Sequence, residues 1–200
     1  MADLAFKSRV FNTLEKYSKT CFVDVVNGVD QTTRGASTHP YKTLSYALSQ
    51  VDNSGWNIII LSGTIGAISD TTVISRQNIN ISAIGQSSGT RYIRGVISVT
   101  STASTVSFDG LAFDFVTISG NCNVFMKDCT FATGGALTKT GNGYLEVSRS
   151  MLDSANVTTI SGSGVSLFDN TRLRTLSVNN AAAVCSLINS SQAYEANILT

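Results

Sequence analysis

The chain reads FDGLAF at residues 108–113, MKDCTF at 126–131, VSRSML at 147–152, FDNTRL at 168–173 and LINSSQ at 187–192. Aligned on an apolar anchor, a polar turn and a second position five residues on, these hexapeptides are one unit written five times. The anchors Phe108, Met126, Val147, Phe168 and Leu187 are spaced by 18, 21, 21 and 19 residues. Such a unit is too short and too polar to be a domain. A fixed period in this range marks an array in which each unit buries its apolar side only against its neighbours.

Within the period the apolar residues alternate. Val124 and Met126 flank Phe125, Leu145 and Val147 flank Glu146, Ser166 and Phe168 flank Leu167, and Val184 leads into Leu187. After the turn come Val116 and Ile118, Leu137 with Lys139, Val157 to Ile160, then Leu176 and Val178. Period-2 runs of three to five residues bounded by Gly, Asn, Asp and Ser are the signature of strands. Three runs per period make one coil of a parallel β-helix, so the predicted fold is an all-β solenoid. The corners fall at Gly120 and Asn121, Gly141 to Gly143, Gly162 to Gly164, and Asn179 and Asn180, residue types that accept tight turns. Irregular runs at Ile79, Ile81 and Ile84 and at Ile93, Val96, Ile97 and Val99 extend the array toward the N-terminus. Six to seven coils stacked at about 4.8 Å predict a solenoid about 30 Å long.

Composition agrees. Charged residues make up 14 % of the chain, there is one proline, and the formal net charge is +1. Low charge with abundant β-branched residues argues against disorder and coiled coil. With no run of Lys or Arg, neither nucleic acid nor an anionic membrane is an expected partner. No 18-residue apolar segment occurs, and Asp3, Lys7, Arg9, Glu15 and Lys16 stand where a signal peptide needs an apolar core. A chain made in the cytoplasm is the expectation.

Residues 1–20 differ from the rest. Leu4, Val10, Phe11, Leu14 and Tyr17 lie near a helical stripe with Lys7, Arg9, Glu15, Lys16 and Lys19 mostly off it, which predicts a short amphipathic helix. Its ordinary role is to pack on the solenoid end or on its own copy. The sharper reading makes Met1 to Lys19 a peg that attaches the protein to a larger assembly.

The stretch CFVDVVNGVDQTTRGASTHPYKTLSYALSQVDNSGWNIIILSGTI follows. Phe22, Val23, Val25 and Val26 are expected as a strand, 27–35 as a polar turn, His39 and Pro40 as the opening of a helix, and Leu44, Ala47, Leu48 and Val51 as its apolar face. Ile58 to Leu61 reads as a buried strand. The pattern Val23, Gly28, Asp30, then Pro40, Tyr41, Lys42, Thr43, Leu44, then Ala47, Leu48, then Gly63, Thr64, Ile65 resembles the opening segment of pectate-lyase-like right-handed β-helix proteins. The resemblance implies that the second helix caps the apolar end of the solenoid, where an open coil would invite end-to-end association. The domain organisation expected is therefore 1–20 for the attachment helix, 21–55 for the first strand and capping helix, and 56–200 for the β-helix. Fold likeness carries no activity by itself, since this opening serves lyases, hydrolases, adhesins and viral spikes.

Asp109, Asp128 and Asp169 fall beside the turn after the first strand of their coils and are the candidates for a catalytic or Ca2+-binding column. The simpler role for an Asp at a corner is to accept hydrogen bonds from free amides, and Ser148 and Arg149 interrupt the column. His39, the single histidine, has no nucleophile at triad spacing. Cys21, Cys122, Cys129 and Cys185 lack CxxC or zinc spacing and read as buried thiols, with Cys129 the more accessible. Trp56 is expected to seal the seam between cap and first coil; a sugar-stacking role is the alternative. No catalytic, cofactor-binding or metal-ligating set is assigned, and no cofactor is called for.

A polar outer surface, a helical peg and a short capped solenoid resemble bacteriophage tail-fibre, tailspike and head-fibre proteins. That resemblance implies a non-enzymatic structural protein of the virion, assembled in the host cytoplasm. It further implies a side-by-side homotrimer, other virion proteins as partners of Met1 to Lys19, and contact with host surface glycans. A polysaccharide lyase or hydrolase with a groove between subunits is the rival reading. The C-terminal AYEANILT is expected to leave the repeat as an end cap or exchanged strand.

Overall fold

A computed structural model describes residues 19–62, 65, 71–83, 92–100, 105–152 and 157–198. Residues 1–18 of the expected N-terminal helix, with Gly63 and Thr64, lie outside these residues, while Lys19 and Thr20, expected in that helix, open the first strand. The described chain is a right-handed parallel β-solenoid of about six turns with one short helix.

Its first sheet takes one strand from every coil. β1 (Lys19–Asp24), β2 (Trp56–Ser62), β4 (Ile79–Ala83), β6 (Thr105–Asp109), β8 (Asn123–Lys127), β10 (Leu145–Ser148), β13 (Val165–Asp169) and β15 (Val184–Ile188) lie side by side in that order. The repeat anchors are in register. Cys21, Ile58, Ile81, Phe108, Met126, Val147, Phe168 and Leu187 form one inward column. The sequence period is thus the physical coil, and each anchor packs on the equivalent anchor one strand spacing away.

The second sheet runs from β3 (Thr71–Ile74) through β5 (Tyr92–Val99), β7 (Ala112–Ile118), β9 (Thr130–Lys139) and β12 (Val157–Ile160) to β14 (Arg172–Val178), with β16 (Gln192–Ile198) on β14. The short β11 (Met151–Leu152) joins β9 and β14. Register shifts between Ile93 and Val96, and between Phe113 and Phe115, crease this sheet, so each coil presents three faces around one core. Inward residues of its second leg form the column Ile74, Val99, Ile118, Lys139, Ile160, Val178, Ile198.

The corners after β6, β8, β10, β13 and β15 are left-handed. Gly110, Asp128, Arg149, Asn170 and Asn189 all have φ between 48° and 69°. A side chain in that region costs about 1 kcal/mol, and short polar side chains tolerate it best. Leu111, Cys129, Ser150 and Thr171, which follow the first four, are buried, and two of these corners donate to a serine hydroxyl one coil on. Cys129 N donates to Ser150 Oγ at 3.0 Å and Thr171 N to Ser191 Oγ at 3.0 Å. These serine hydroxyls in turn donate to carbonyls, Ser150 to Ser148 O at 2.8 Å and Ser191 to Phe168 O at 2.8 Å, and the buried Thr171 Oγ1 donates to Val147 O at 3.0 Å. The glycine pair at the other corner has a different cause. A Cβ on Gly162 would meet Gly141 O at 2.0 Å, because successive turns stack backbone on backbone.

The N-terminal end is built as a closure. β1 ends at Asp24, and Val25 and Val26, expected in the strand, form a turn that Asp24 Oδ1 holds by accepting from Val26 N at 2.9 Å and Asn27 N at 3.1 Å. The chain then returns along the free edge of β1. Phe22 N donates to Gly35 O, Tyr41 N to Phe22 O and Asp24 N to Tyr41 O, at 2.8–2.9 Å. Gly28 is required by this return, since a Cβ there would lie 2.1 Å from Tyr41 O and 2.4 Å from Asp24 O. Asp30 fastens the far side, accepting from Lys42 N at 2.8 Å, Thr43 N at 3.0 Å and Thr43 Oγ1 at 2.8 Å. Helix α1 (Leu44–Gln50) starts after the N-cap Thr43, later than His39 and Pro40, which stay in the loop. Leu44, Ala47 and Leu48 are buried, and the helix lies against β1 and β3, the N-terminal strands of the two sheets.

At the other end, AYEANI, the described part of AYEANILT, does not leave the repeat. β16 pairs with β14 in register from Gln192 to Ile198. The last corner holds an extra residue, with both Asn189 and Ser190 at positive φ, so Ala193 and not Gln192 takes the column position of Leu173.

Candidate functional site

The acids beside the corner are brought to one edge of the solenoid but are not free. Asp109 and Asp169 occupy the same outward column, separated by Lys127 and Ser148, while Asp128 belongs to the neighbouring left-handed column. Three coil spacings, about 14 Å, divide Asp109 from Asp169, beyond the about 5–9.5 Å that paired glycosidase carboxyls need. Each acid has a partner one coil on. Lys127 Nζ lies 3.5 Å from Asp109, Arg149 Nε donates to Asp128 at 2.9 Å, and Asn189 Nδ2 donates to Asp169 at 2.8 Å. Arg149 is the hub. Its hydrogen bonds to Asp128, with the negative charges of Asp128, Asp109 and Asp169, hold its guanidinium above the ordinary arginine range against a modest effect of burial. The residue that interrupts the acidic column in the sequence therefore neutralises it in space.

The most enclosed carboxylate was not singled out by the sequence. Asp114 is buried at the crease of the second sheet, where Tyr92 OH donates to its Oδ1 and Gly95 N to its Oδ2 at 2.9 Å, with Arg94 Nε at 3.5 Å. Burial opposes its ionisation, but these donors and the Arg94 charge outweigh that and hold the carboxyl below its usual range. Burial first, then the Asp114 contact, push the Tyr92 phenol up to about 12. Both oxygens are engaged, so the cluster is a clip joining two coils across the bulge. Its signal was an acid inside the apolar run AFDFV.

Other candidates resolve into structural parts. Trp56 is half-buried against the core, its indole N–H donates to Asp52 Oδ1 at 2.8 Å, and Lys19 Nζ sits 5.3 Å over its ring. It seals the seam, with Lys19 on a ring face. His39 is exposed and contacts Thr38 Oγ1 at 3.0 Å through Nδ1. All four cysteines are free thiols. Cys129, expected to be the accessible one, is fully buried with its thiol directed at Lys127 O, and burial pushes it up to about 12. Cys185 is the more exposed thiol, at the C-terminal coil. Among the described residues no group of three His, Cys, Asp or Glu is placed to hold a metal ion, and no helix is long and apolar enough to cross a membrane.

Lys139 is the outlier. Its position in the Ile118 to Ile160 column puts it inside, it is 0 % exposed, and its Nζ has no hydrogen-bond partner. Desolvation lowers its pKa, with Cys185 acting weakly the other way. Ser166 Oγ is likewise buried and unpartnered.

No protein-family model, curated protein or solved structure matches this chain. Its chemistry has to be read from its own residues.

Proposed function

We propose that this chain is a rigid structural part of a bacteriophage virion, of the tail-fibre, tailspike or head-fibre kind. In this reading Met1 to Lys19 attaches it to other virion proteins, and the solenoid projects or connects, with host glycans as its outer contact. The observation that carries the proposal is the unbroken parallel ladder from β1 to β15. Its hydrogen bonds all run along the long axis, so about 34 Å of chain holds its length with little entropy left to lose. The corner acids support the same reading, because each is committed to Lys127, Arg149 or Asn189 and the set forms cross-coil fastenings. The opening segment's resemblance to pectate-lyase-like proteins agrees with such a rod, and the resemblance to bacteriophage fibre and spike proteins implies side-by-side trimers.

The test is a labelled copy of the chain in purified particles, imaged by negative stain. Label at a fixed projection or collar is the expected result. Absence from particles, together with depolymerisation of capsular polysaccharide that is lost in the triple variant D109A/D128A/D169A, would replace the proposal with the enzyme reading.

A further inference from the structure

Two polar side chains inside the solenoid are closed off from solvent and from every partner. Lys139 Nζ and Ser166 Oγ are fully buried, and neither is hydrogen-bonded. Lys139 stands between Ile118 and Ile160 in the second sheet, and Ser166 stands between Leu145 and Cys185 in the first. One corner joins these two columns in every coil, through residues 140–144 from Lys139 to Leu145 and 161–165 from Ile160 to Ser166. Ser166 is thus one coil on from Lys139 across that corner, and Cys185 is two. The Lys139 side chain, on a flexible four-carbon stem, reaches along the axis toward both. Its amine and the Cys185 thiol lie close enough for each to shift the ionisation of the other. The facing column makes room, since it steps down from Val124 and Leu145 to Ser166 and Cys185 where the amine arrives.

What gathers at this point is a set of donors. A lysine ammonium has three N–H groups and no acceptor, a serine adds one O–H, and a thiol is a weak donor. The carbonyls at the start of the corner are already engaged, Lys139 O by Ser161 N and Ile160 O by Asn179 N, both at 2.8 Å. The acids of β10 and β13 alternate outward, where Glu146 accepts from Tyr144 OH at 2.9 Å and Asp169 from Asn189 Nδ2 at 2.8 Å. No carboxylate turns inward to meet the amine. Burial disfavours an ammonium unless a counter-charge stands beside it. We propose that Lys139 and Ser166 hold one small monovalent anion, of chloride size, inside the solenoid, with the Cys185 thiol at its rim. The size follows from the packing. A serine in place of a leucine frees the space of about two heavy atoms in a close-packed core, which suits a single ion and excludes sulfate or phosphate. Bound there, the anion ties three successive coils together through the core.

This inference goes beyond the virion reading and does not rest on it. The test is urea unfolding of the full chain at constant ionic strength, with sodium chloride exchanged for sodium gluconate. One anion bound only by the folded state lowers the unfolding constant about tenfold for each tenfold rise in chloride above the dissociation constant. That slope is expected in the wild type and should be absent in Lys139→Met. Ser166→Ala should move its onset to at least tenfold higher chloride, and Arg149→Met, which removes a surface cation, should leave it in place. Without chloride Lys139→Met should be the more stable protein, and the difference should close as chloride is added. Bromide soaked into wild-type crystals should give an anomalous-scattering peak within hydrogen-bond distance of Lys139 Nζ and Ser166 Oγ. A chloride response of equal size in the wild type and Lys139→Met belongs to surface charge and overturns the proposal. So does a wild-type crystal with water alone at that position. A bromide peak that persists in Lys139→Met marks an adventitious ion only and overturns it as well.

Discussion

The coils near the N-terminus and those near the C-terminus share one register but not one chemistry. Around β2, β4 and β6 the inward columns are Ile58, Ile60, Ile79, Ile81, Val106 and Phe108, all apolar and buried, and a fastened loop and helix close the end. Toward the C-terminus the column of Ile79 and Val106 carries Ser166 and Cys185, the second-sheet columns carry Lys139 and Thr158, and the last described coil exposes Leu187 and Ile198. The lesson is that the ladder of backbone hydrogen bonds sets the fold regardless of what fills it. Side chains decide how firmly each half holds.

The largest effect is expected from unmaking the closure. Gly28→Ala puts a Cβ against two backbone carbonyls that cannot move without releasing the β1 edge, so a loss of about 4 kcal/mol is expected in urea unfolding. If stability is unchanged, the return loop does not close that end.

Removing the Asp30 fastening is milder. Asp30→Ala forfeits three hydrogen bonds to a carboxylate at the start of α1, and about 2 kcal/mol is expected, with Asp30→Asn recovering part of it.

In the middle of the solenoid the expected sign reverses. Lys139→Met replaces an unpartnered buried amine by an apolar chain of similar length and should stabilise the fold by about 1–2 kcal/mol in urea unfolding near neutral pH. The pH dependence separates this from simple repacking. Because the folded-state pKa of Lys139 is depressed, the unfolded chain binds more protons between that pKa and about 10.5. Wild-type stability therefore rises with pH through that window, and the rise should vanish in Lys139→Met. A rise that persists in the variant assigns it to other groups.

The smallest effect belongs to the acid column. Asp128→Asn breaks a half-exposed pair with Arg149 and should cost less than about 1 kcal/mol, with the difference shrinking in salt. A loss of several kcal/mol would mean that the corner ladder, not the core, holds the coils in register.

Much of this was legible in the chain because a solenoid maps sequence period directly onto space. Five anchors spaced 18 to 21 residues apart fall in one column, and Cys185 takes the inward position of Val124. The hydrogen-bonded pairs were not legible. Asp114 and Tyr92 are 22 residues apart in the sequence, and only the bulge turns one toward the other. The role of Arg149 was hidden for the same reason, since it stands one coil away from the acid it binds.

The sequence by itself determined that successive stretches stack, where each coil begins, and which residues face inward, because period-2 alternation inside a 20-residue repeat leaves few other ways to bury the apolar set. The tertiary structure decided what the polar residues do. It made Asp30 a fastening, Gly28 a point of backbone approach, Arg149 a hub and Lys139 a buried amine. Those roles arise only between neighbouring coils, and distance across a coil spacing is not written in the order of the residues.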